Sequence, residues 1–265
     1  RSSPTPTASM PGNQKVVSLT SGYTHHCALL EDGTVACWGR NNQGQLGDNS
    51  TTNRNTPTLT NPLGASAIAI ESDHGHTCAL LSTGSVVCWG DNSDGQIGNG
   101  TSGGNVLVPT PVSSITGTAV SISTSSSATC ALLDNNSVTC WGANSVGQIG
   151  NGTTSSGTIP DYTSSFATNQ IKLMLDGGGD VSCSLVDNGS IYCWGRNNDG
   201  QIGDGTTAHA TTPTWVDTSY KFLTTRMKDV ISASSCSVSP ALPTGLGIDS
   251  STCTISGTPT SAVDN

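Results

Sequence analysis

Residues 27–39 read Cys27-Ala-Leu-Leu-Glu-Asp-Gly-Thr-Val-Ala-Cys37-Trp38-Gly39, and the pattern returns three times. Cys78-Ala-Leu-Leu leads to Cys88-Trp-Gly, Cys130-Ala-Leu-Leu to Cys140-Trp-Gly, and Cys183-Ser-Leu-Val to Cys193-Trp-Gly. The first cysteines of successive copies lie 51, 52 and 53 residues apart. A second block follows each copy: Asn42-Gln-Gly-Gln-Leu-Gly, Ser93-Asp-Gly-Gln-Ile-Gly, Ser145-Val-Gly-Gln-Ile-Gly and Asn198-Asp-Gly-Gln-Ile-Gly. Four copies in register are the mark of a repeat architecture.

Each unit reads as strands. A short apolar run (Val16-Val-Ser-Leu19, Ala67-Ile-Ala-Ile70, Val120-Ser-Ile122 or Ile171-Lys-Leu-Met-Leu175) precedes the cysteine hairpin. A Thr/Pro segment (Thr56-Pro-Thr, Pro109-Thr-Pro-Val or Thr212-Pro-Thr-Trp-Val) then supplies an edge strand, where Pro is tolerated. The central hairpin is apolar on both faces, with Leu29 and Val35 on one and Leu30 and Trp38 on the other. A sheet apolar on both faces must be covered on both, as radially stacked propeller blades are. The reading is all-β, with Trp38, Trp89, Trp141 and Trp194 as the blade-core residues.

The hairpin loops are Glu31-Asp-Gly33, Ser82-Thr-Gly84, Asp134-Asn-Asn136 and Asp187-Asn-Gly189. Their third positions are residues that tolerate positive φ. That fits a three-residue loop, a type I turn closed by a left-handed residue. Such a loop pairs Leu30 with Thr34 and sets Cys27 opposite Cys37, at a non-hydrogen-bonded site where Cα atoms approach to about 4.5 Å. The ten cysteines resolve as Cys27–Cys37, Cys78–Cys88, Cys130–Cys140, Cys183–Cys193 and, by elimination, Cys236–Cys253. Each short staple stabilises by roughly 2.5–3 kcal/mol. Structural zinc sites space their cysteines more closely than this, so disulfides and an oxidising compartment are expected.

Composition narrows the function classes. The chain of 265 residues is 33% hydrophobic and only 10% charged, with net charge −9 and just 9 Lys plus Arg. Nucleic-acid binding depends on cations that neutralise phosphates, and there is no basic cluster. No stretch approaches the ~20 apolar residues of a membrane span.

The repeated His-x-x-Ala-Leu, Trp-Gly-x-Asn and Gly-Gln-Leu-Gly elements resemble the regulator of chromosome condensation repeat family over about residues 15–216. The cysteine pair is similar to an extracellular bacterial and archaeal branch of it. The resemblance implies propeller blades at 15–66, 67–118, 119–169 and 170–216. Nuclear members act as exchange factors for a small GTPase or bind chromatin, roles that an acidic, disulfide-rich chain does not suit. A plant ultraviolet photoreceptor shares the fold and senses light through clustered Trp; here the tryptophans read as packing. The family closes with seven blades and four are visible, so the chain closes as a four-bladed ring, is a fragment, or is completed by another chain. Residues 217–265, through Leu242-Pro-Thr-Gly-Leu246 and Ile255-Ser-Gly-Thr-Pro259, resemble part of an immunoglobulin-like β-sandwich domain of bacterial and archaeal surface proteins. Residues 1–14, rich in Pro, Thr and Ser, read as an extended linker or donor segment.

Chemistry-bearing residues do not converge in the sequence. His25 and His76 share an offset, but Ala128 and Val181 hold it in the later units, so no ring of ligands forms; His26 and His74 flank them. Asp91, Asp94, Asp199 and Asp204 lie in Gly-rich loops without the oxygen-ligand spacing of a calcium loop. No catalytic, metal or cofactor site is expected. Candidate N-glycosylation sites are Asn49, Asn99, Asn135, Asn151 and Asn188, of which Asn49, Asn99 and Asn151 are read as sharing the place after Gly-Gln-Leu/Ile-Gly. The expected function is a non-enzymatic extracellular or cell-surface protein with a structural or adhesive role, including that of a self-assembling fibre subunit. Its partners are then proteins (itself or another surface protein) and glycans. The alternatives are a secreted propeller that binds a single partner as an inhibitor does and, weakest, a propeller enzyme.

Overall fold

A computed structural model describes residues 9–164, 171–175, 179–216, 246–248 and 255–257. They form four antiparallel four-stranded meanders and one small hairpin. The first blade holds β1 (Val16–Ser21), β2 (His25–Leu30), β3 (Val35–Gly39) and β4 (Arg54–Leu59). The second holds β5 (Ala67–Asp73), β6 (His76–Leu81), β7 (Val86–Asn92) and β8 (Gly104–Pro111). The third holds β9 (Ala119–Ser125), β10 (Ala128–Leu133), β11 (Val138–Gly142) and β12 (Gly157–Tyr162). The fourth holds β13 (Ile171–Leu175), β14 (Val181–Val186), β15 (Ile191–Gly195) and β16 (Ala210–Trp215). A compact unit spans Arg1–Ser219; a second, Tyr220–Asn265, contributes the hairpin β17 (Leu246–Ile248) and β18 (Ile255–Gly257). The Cys236–Cys253 pairing lies outside the described residues.

The hairpin turn has the expected form. Leu30 N–H donates to the Thr34 carbonyl at 2.9 Å and Gly33 N–H to the Leu30 carbonyl at 2.9 Å. The third loop residues carry φ of 83° (Gly33), 79° (Gly84), 65° (Asn136) and 82° (Gly189), the left-handed region that closes such a loop. The register that follows sets Cys27 against Cys37, Cys78 against Cys88, Cys130 against Cys140 and Cys183 against Cys193. Each pair forms a disulfide across a Cα–Cα separation of 4.1 Å. The Thr/Pro strands β4, β8, β12 and β16 lie at the outer edge of each sheet, where a missing N–H costs nothing.

Strand alternation sorts each blade into two faces, and stacking pairs unlike ones. The cysteine face of the first blade (Cys27, Leu29, Val35, Cys37, with Leu46 from the following loop) packs on Ala67, Ile70, Ala79, Leu81, Val87 and Trp89 of the second. The same contact recurs from second blade to third, through Ile97 and Trp141, and from third to fourth, through Ile149 and Trp194. The core is therefore a series of slabs between blades. Burying one large aliphatic side chain there stabilises by about 1.5–3 kcal/mol.

The stack does not close on itself as a four-bladed ring. Leu19 is 59% exposed, whereas Ile70 and Ile122 at the equivalent place are 3% and 5% exposed. At the opposite end Gln201 lies exposed, while Gln45, Gln96 and Gln148 are buried. The three internal slabs use up one face of each terminal blade, and among the described residues nothing from the other terminal blade covers the remaining one.

Candidate functional site

The recurrent Gly-Gln-Leu/Ile-Gly block builds the contact between blades. In the first blade Gln45 Oε1 accepts the Gln43 N–H at 2.9 Å, and the Gly44 and Gly47 N–H groups donate to Asn41 and Gly44 carbonyls. This tight loop presents the Gln45 carbonyl to the next blade. Trp89 Nε1 donates to it at 3.0 Å, and Thr77 Oγ1 donates to it at 3.2 Å. The indole bond repeats as Trp141 to Gln96 at 2.9 Å and Trp194 to Gln148 at 2.8 Å, and Thr129 Oγ1 donates to Gln96 at 3.0 Å. Two glycines make room. A Cβ on Gly47 would stand 2.8 Å from Trp89 Nε1, and one on Gly44 would stand 2.5 Å from Leu107.

An asparagine holds each loop in place. Asn41 Oδ1 accepts the Leu46 N–H at 2.9 Å, and its Nδ2 donates to the Ser50 and Thr52 carbonyls at 3.0 and 3.1 Å. Asn144 and Asn197 repeat both halves of the clamp, and Asn92 joins the Ile97 N–H to the Thr101 carbonyl. These buried residues were not among the candidates from sequence. Their signal was present, three residues beyond each Trp, but an Asn in a Gly-rich loop reads first as a turn residue.

His25 and His76 lie in the first two slabs. His25 Nε2 meets Thr77 Oγ1 at 2.9 Å, and His76 Nε2 meets Thr129 Oγ1 at 3.0 Å. Each threonine spends its proton on a Gln carbonyl, so each histidine must donate from Nε2. That leaves Nδ1 bare and buried in both, without a partner among the described residues. Burial, with the neighbouring histidines His76, His26 and His74 adding to it, lowers the His25 pKa to about 3; burial and His74 lower that of His76 to about 4. Both are neutral structural groups at any ordinary pH.

The other residues singled out from sequence are dispersed. Asp91 caps the Ser93 N–H, Asp204 caps the Thr206 N–H and hydroxyl, and Asp199 accepts from Gln201 Nε2. Among the described residues no three His, Cys, Asp or Glu side chains are grouped to hold a metal ion. No helix among them is long and apolar enough to cross a membrane. His26 packs at a tilt on Trp38, and His74 edge-on against Tyr23, which is 80% exposed.

Of the sequons, Asn49, Asn135 and Asn188 are exposed, whereas Asn99 and Asn151 are half-buried. Asn99 and Asn151 accept the backbone N–H and hydroxyl of Thr101 and Thr153. Asn49 does not share their place, because one residue intervenes after Gly47. Asp48 follows Gly47 directly in the chain, as Asn99 follows Gly98, and it accepts the Ser50 hydroxyl at 2.7 Å.

The regulator of chromosome condensation (RCC1) repeat matches residues 16–45, 74–96 and 119–148 in one form and 32–80 and 188–239 in another. The second form runs 23 residues past the expected end of the fourth blade at residue 216. The ultraviolet-B receptor UVR8 of Arabidopsis thaliana is 30% identical over 72% of this chain and 44% of its own length. The human E3 ubiquitin-protein ligase HERC2 is 30% identical over 73% of the chain, which is 4% of that protein. Among solved structures, human WBSCR16 superposes with a TM-score of 0.72 at 21% identity, over 79% of this chain and 55% of that one. Prp20p from Saccharomyces cerevisiae gives 0.69 at 21% identity, over 78% and 51%. The chain thus spans about half the length of these solved relatives and less than half that of the curated ones. With its four blades, its repeated Trp-to-Gln contact and these matches, the chain belongs to the regulator of chromosome condensation repeat family.

Proposed function

We propose that this chain is a non-enzymatic extracellular or cell-surface scaffold that binds protein, with a structural or adhesive role. The observation that carries the reading is the staple inside every blade: four disulfides at one place in the repeat, six of their eight cysteines at or below 3% exposure. Buried thiols inside a stacked core have no redox partner to meet, so their pairing serves stability. A cell invests in such pairs where the surroundings are oxidising. The polar groups of the slabs support the second half of the reading, since Thr and His side chains there hold blades together while Asn and Gln side chains fix the loops between them. Exposed loops on this frame are free to meet a partner protein.

The test is thiol status and location in the producing organism. Maleimide labelling of the protein taken directly from cells and denatured without reductant should find no free thiol in the blades, and protease added to intact cells should cut it. Free thiols in that denatured, unreduced protein, together with resistance on intact cells, would place it in a reducing compartment and end the proposal. A broad screen of hydrolase and glycosidase substrates, with and without divalent metals, should stay blank.

A further inference from the structure

We infer that the cleft between the first two blades, beside the hairpin turn of the first, is the anchor site for an arginine side chain of a protein partner. The inference rests on the scaffold reading above and gives its partner a chemistry. Asp32, Val35, Leu59, Pro62, Leu63 and Ala65 line a cavity of about 340 Å³. Leu63 and Ala65 rest on the first slab, so the floor is apolar. The backbone fixes the walls: Thr60 N–H donates to the Val35 carbonyl at 3.0 Å, Asn61 N–H to that of Gly47 at 2.8 Å and Ala67 N–H to that of Gly33 at 2.9 Å. Both walls belong to described blades, and a further blade at either end of the stack would leave them as they are.

The polar lining has spent its protons inside the chain. Thr34 Oγ1 donates to Asp32 Oδ1 at 2.7 Å, Thr60 Oγ1 to the Asn61 carbonyl at 2.9 Å and Ser66 Oγ to the Asp32 carbonyl at 3.5 Å. These hydroxyls and the Asp32 carboxylate therefore face a ligand as acceptors. Hydrogen bonds from Gln14 and then from Thr34 hold the Asp32 carboxyl below the usual carboxylate range, so it is ionised. An apolar floor under acceptors and one negative charge is matched by a long apolar stem that ends in donors and a positive charge. Arginine is that group: a fork of N–H donors with no acceptor, a stem that packs on apolar surface, and weaker hydration than lysine.

The repeat supplies an internal comparison. Thr83, Asn135 and Asn188 hold the turn position of Asp32 in the other blades. Asn135 and Asn188 accept the N–H two residues on at 2.9 Å, as Asp32 accepts that of Thr34 at 2.9 Å. The turn thus needs an acceptor and no charge. The equivalent cleft between the second and third blades measures about 220 Å³, with Thr83 and Pro111 in place of Asp32 and Leu59 and no ionisable side chain in its lining. The hairpin loops carry Glu31, Asp32, Asp134 and Asp187 and no Lys or Arg, a field that favours a cationic partner. Lys15 pairs with Glu31 at 4.0 Å, and among the described residues no cation pairs with Asp32.

The test titrates the full chain, isotope-labelled for NMR, with N-acetyl-arginine amide and with its neutral isostere N-acetyl-citrulline amide. The arginine probe should shift amides within residues 32–35 and 59–66, and the citrulline probe should leave them in place. Asp32→Asn, the residue that the third and fourth blades use at this turn, should weaken arginine binding about fivefold, the upper range for an exposed ion pair. Asp134→Asn removes the same charge from a neighbouring loop and should change nothing. Should Asp32→Asn fail to fold, Leu59→Arg, at a residue 43% exposed, brings the chain's own guanidinium to the cleft and should abolish binding. No shifts, shifts spread over the whole loop face, an equal response to citrulline, or equal weakening by Asp134→Asn each overturns the inference. Free arginine binding more tightly than the blocked residue would make the cleft a site for the amino acid and overturn the protein partner. A blank titration of a chain whose blade cysteines are all paired, and which protease cuts on intact cells, removes this site and leaves the scaffold reading intact.

Discussion

Replacing Gly98 by Ala isolates what the second glycine of the loop does. Its φ is +73°, and a Cβ there would stand 2.6 Å from Trp141 Nε1, 2.8 Å from Cδ1 and 3.0 Å from Cε2. The indole has little freedom to yield, because Trp141 is 0% exposed and its Nε1 donates to the Gln96 carbonyl at 2.9 Å. Two costs add. An L-residue held in the left-handed region loses about 1–2 kcal/mol. Overpacking in a filled core costs a further ~1–3 kcal/mol. The sum is about 2–5 kcal/mol. Gly203→Ala supplies the control inside the same molecule. Its φ of +76° carries the same backbone cost, but among the described residues the new methyl meets only Val216 Cγ1 at 3.2 Å, a half-buried side chain. The expected loss is the backbone cost alone, about 1–2 kcal/mol. Urea unfolding followed by far-ultraviolet circular dichroism, at dilution, measures both. Equal losses at the two positions would refute the claim that the indole contact, and not the turn, demands glycine at 98.

Three further outcomes are expected. Below pH 6.5 the unfolded chain binds protons that folded His25 and His76 refuse until about pH 3 and 4, so stability should fall with acid by about 1.4 kcal/mol per pH unit for each. Urea midpoints between pH 7 and 5 test this, and His76→Gln, which keeps a donor toward Thr129, should shed half the slope; an unaltered slope would count against it. Replacing Cys78 and Cys88 together by Ser should cost about 2.5–3 kcal/mol, and peptide mapping without reductant should find every blade cysteine linked to the one ten residues away. Links between blades would sink the hairpin register. Asn144→Ala strips partners from the Ile149 N–H and the Thr153 and Ser155 carbonyls, a loss of about 1–3 kcal/mol, and should open residues 145–156 to limited proteolysis.

Much of the architecture was legible because the repeat states it four times. One blade would leave the hairpin ambiguous; four loops ending in Gly33, Gly84, Asn136 and Gly189 fix the turn, and the turn fixes which cysteines face each other. The two-faced hairpin also told that both faces would be covered. It could not tell which face meets which, since that depends on the angle between successive sheets. The slab therefore had to be seen before Trp89 could be joined to Gln45, 44 residues earlier in the chain. Polar residues were harder still. Asn41, Gln45 and Thr77 work while buried, and a sequence gives their type but not their burial. The grouping of Asn49 with Asn99 fails on the sequence itself, since Asn49 stands two residues after Gly47 and Asn99 directly after Gly98.

The staples close within blades and never between them, and this has a mechanical meaning. A pull on the two ends of the stack loads the slabs in series, where apolar packing and a small set of hydrogen bonds resist. Each blade would come away as a unit before it lengthens. Once it lengthens, the closed loop holds back the stretch between its cysteines, whose sequence separation is 10. A repeat of about 52 residues then yields roughly 40 residues of extension, ~140 Å rather than ~180 Å at full stretch. Under such a pull the chain gives way in short, equal steps, and the covalent link in each blade's centre survives every one of them.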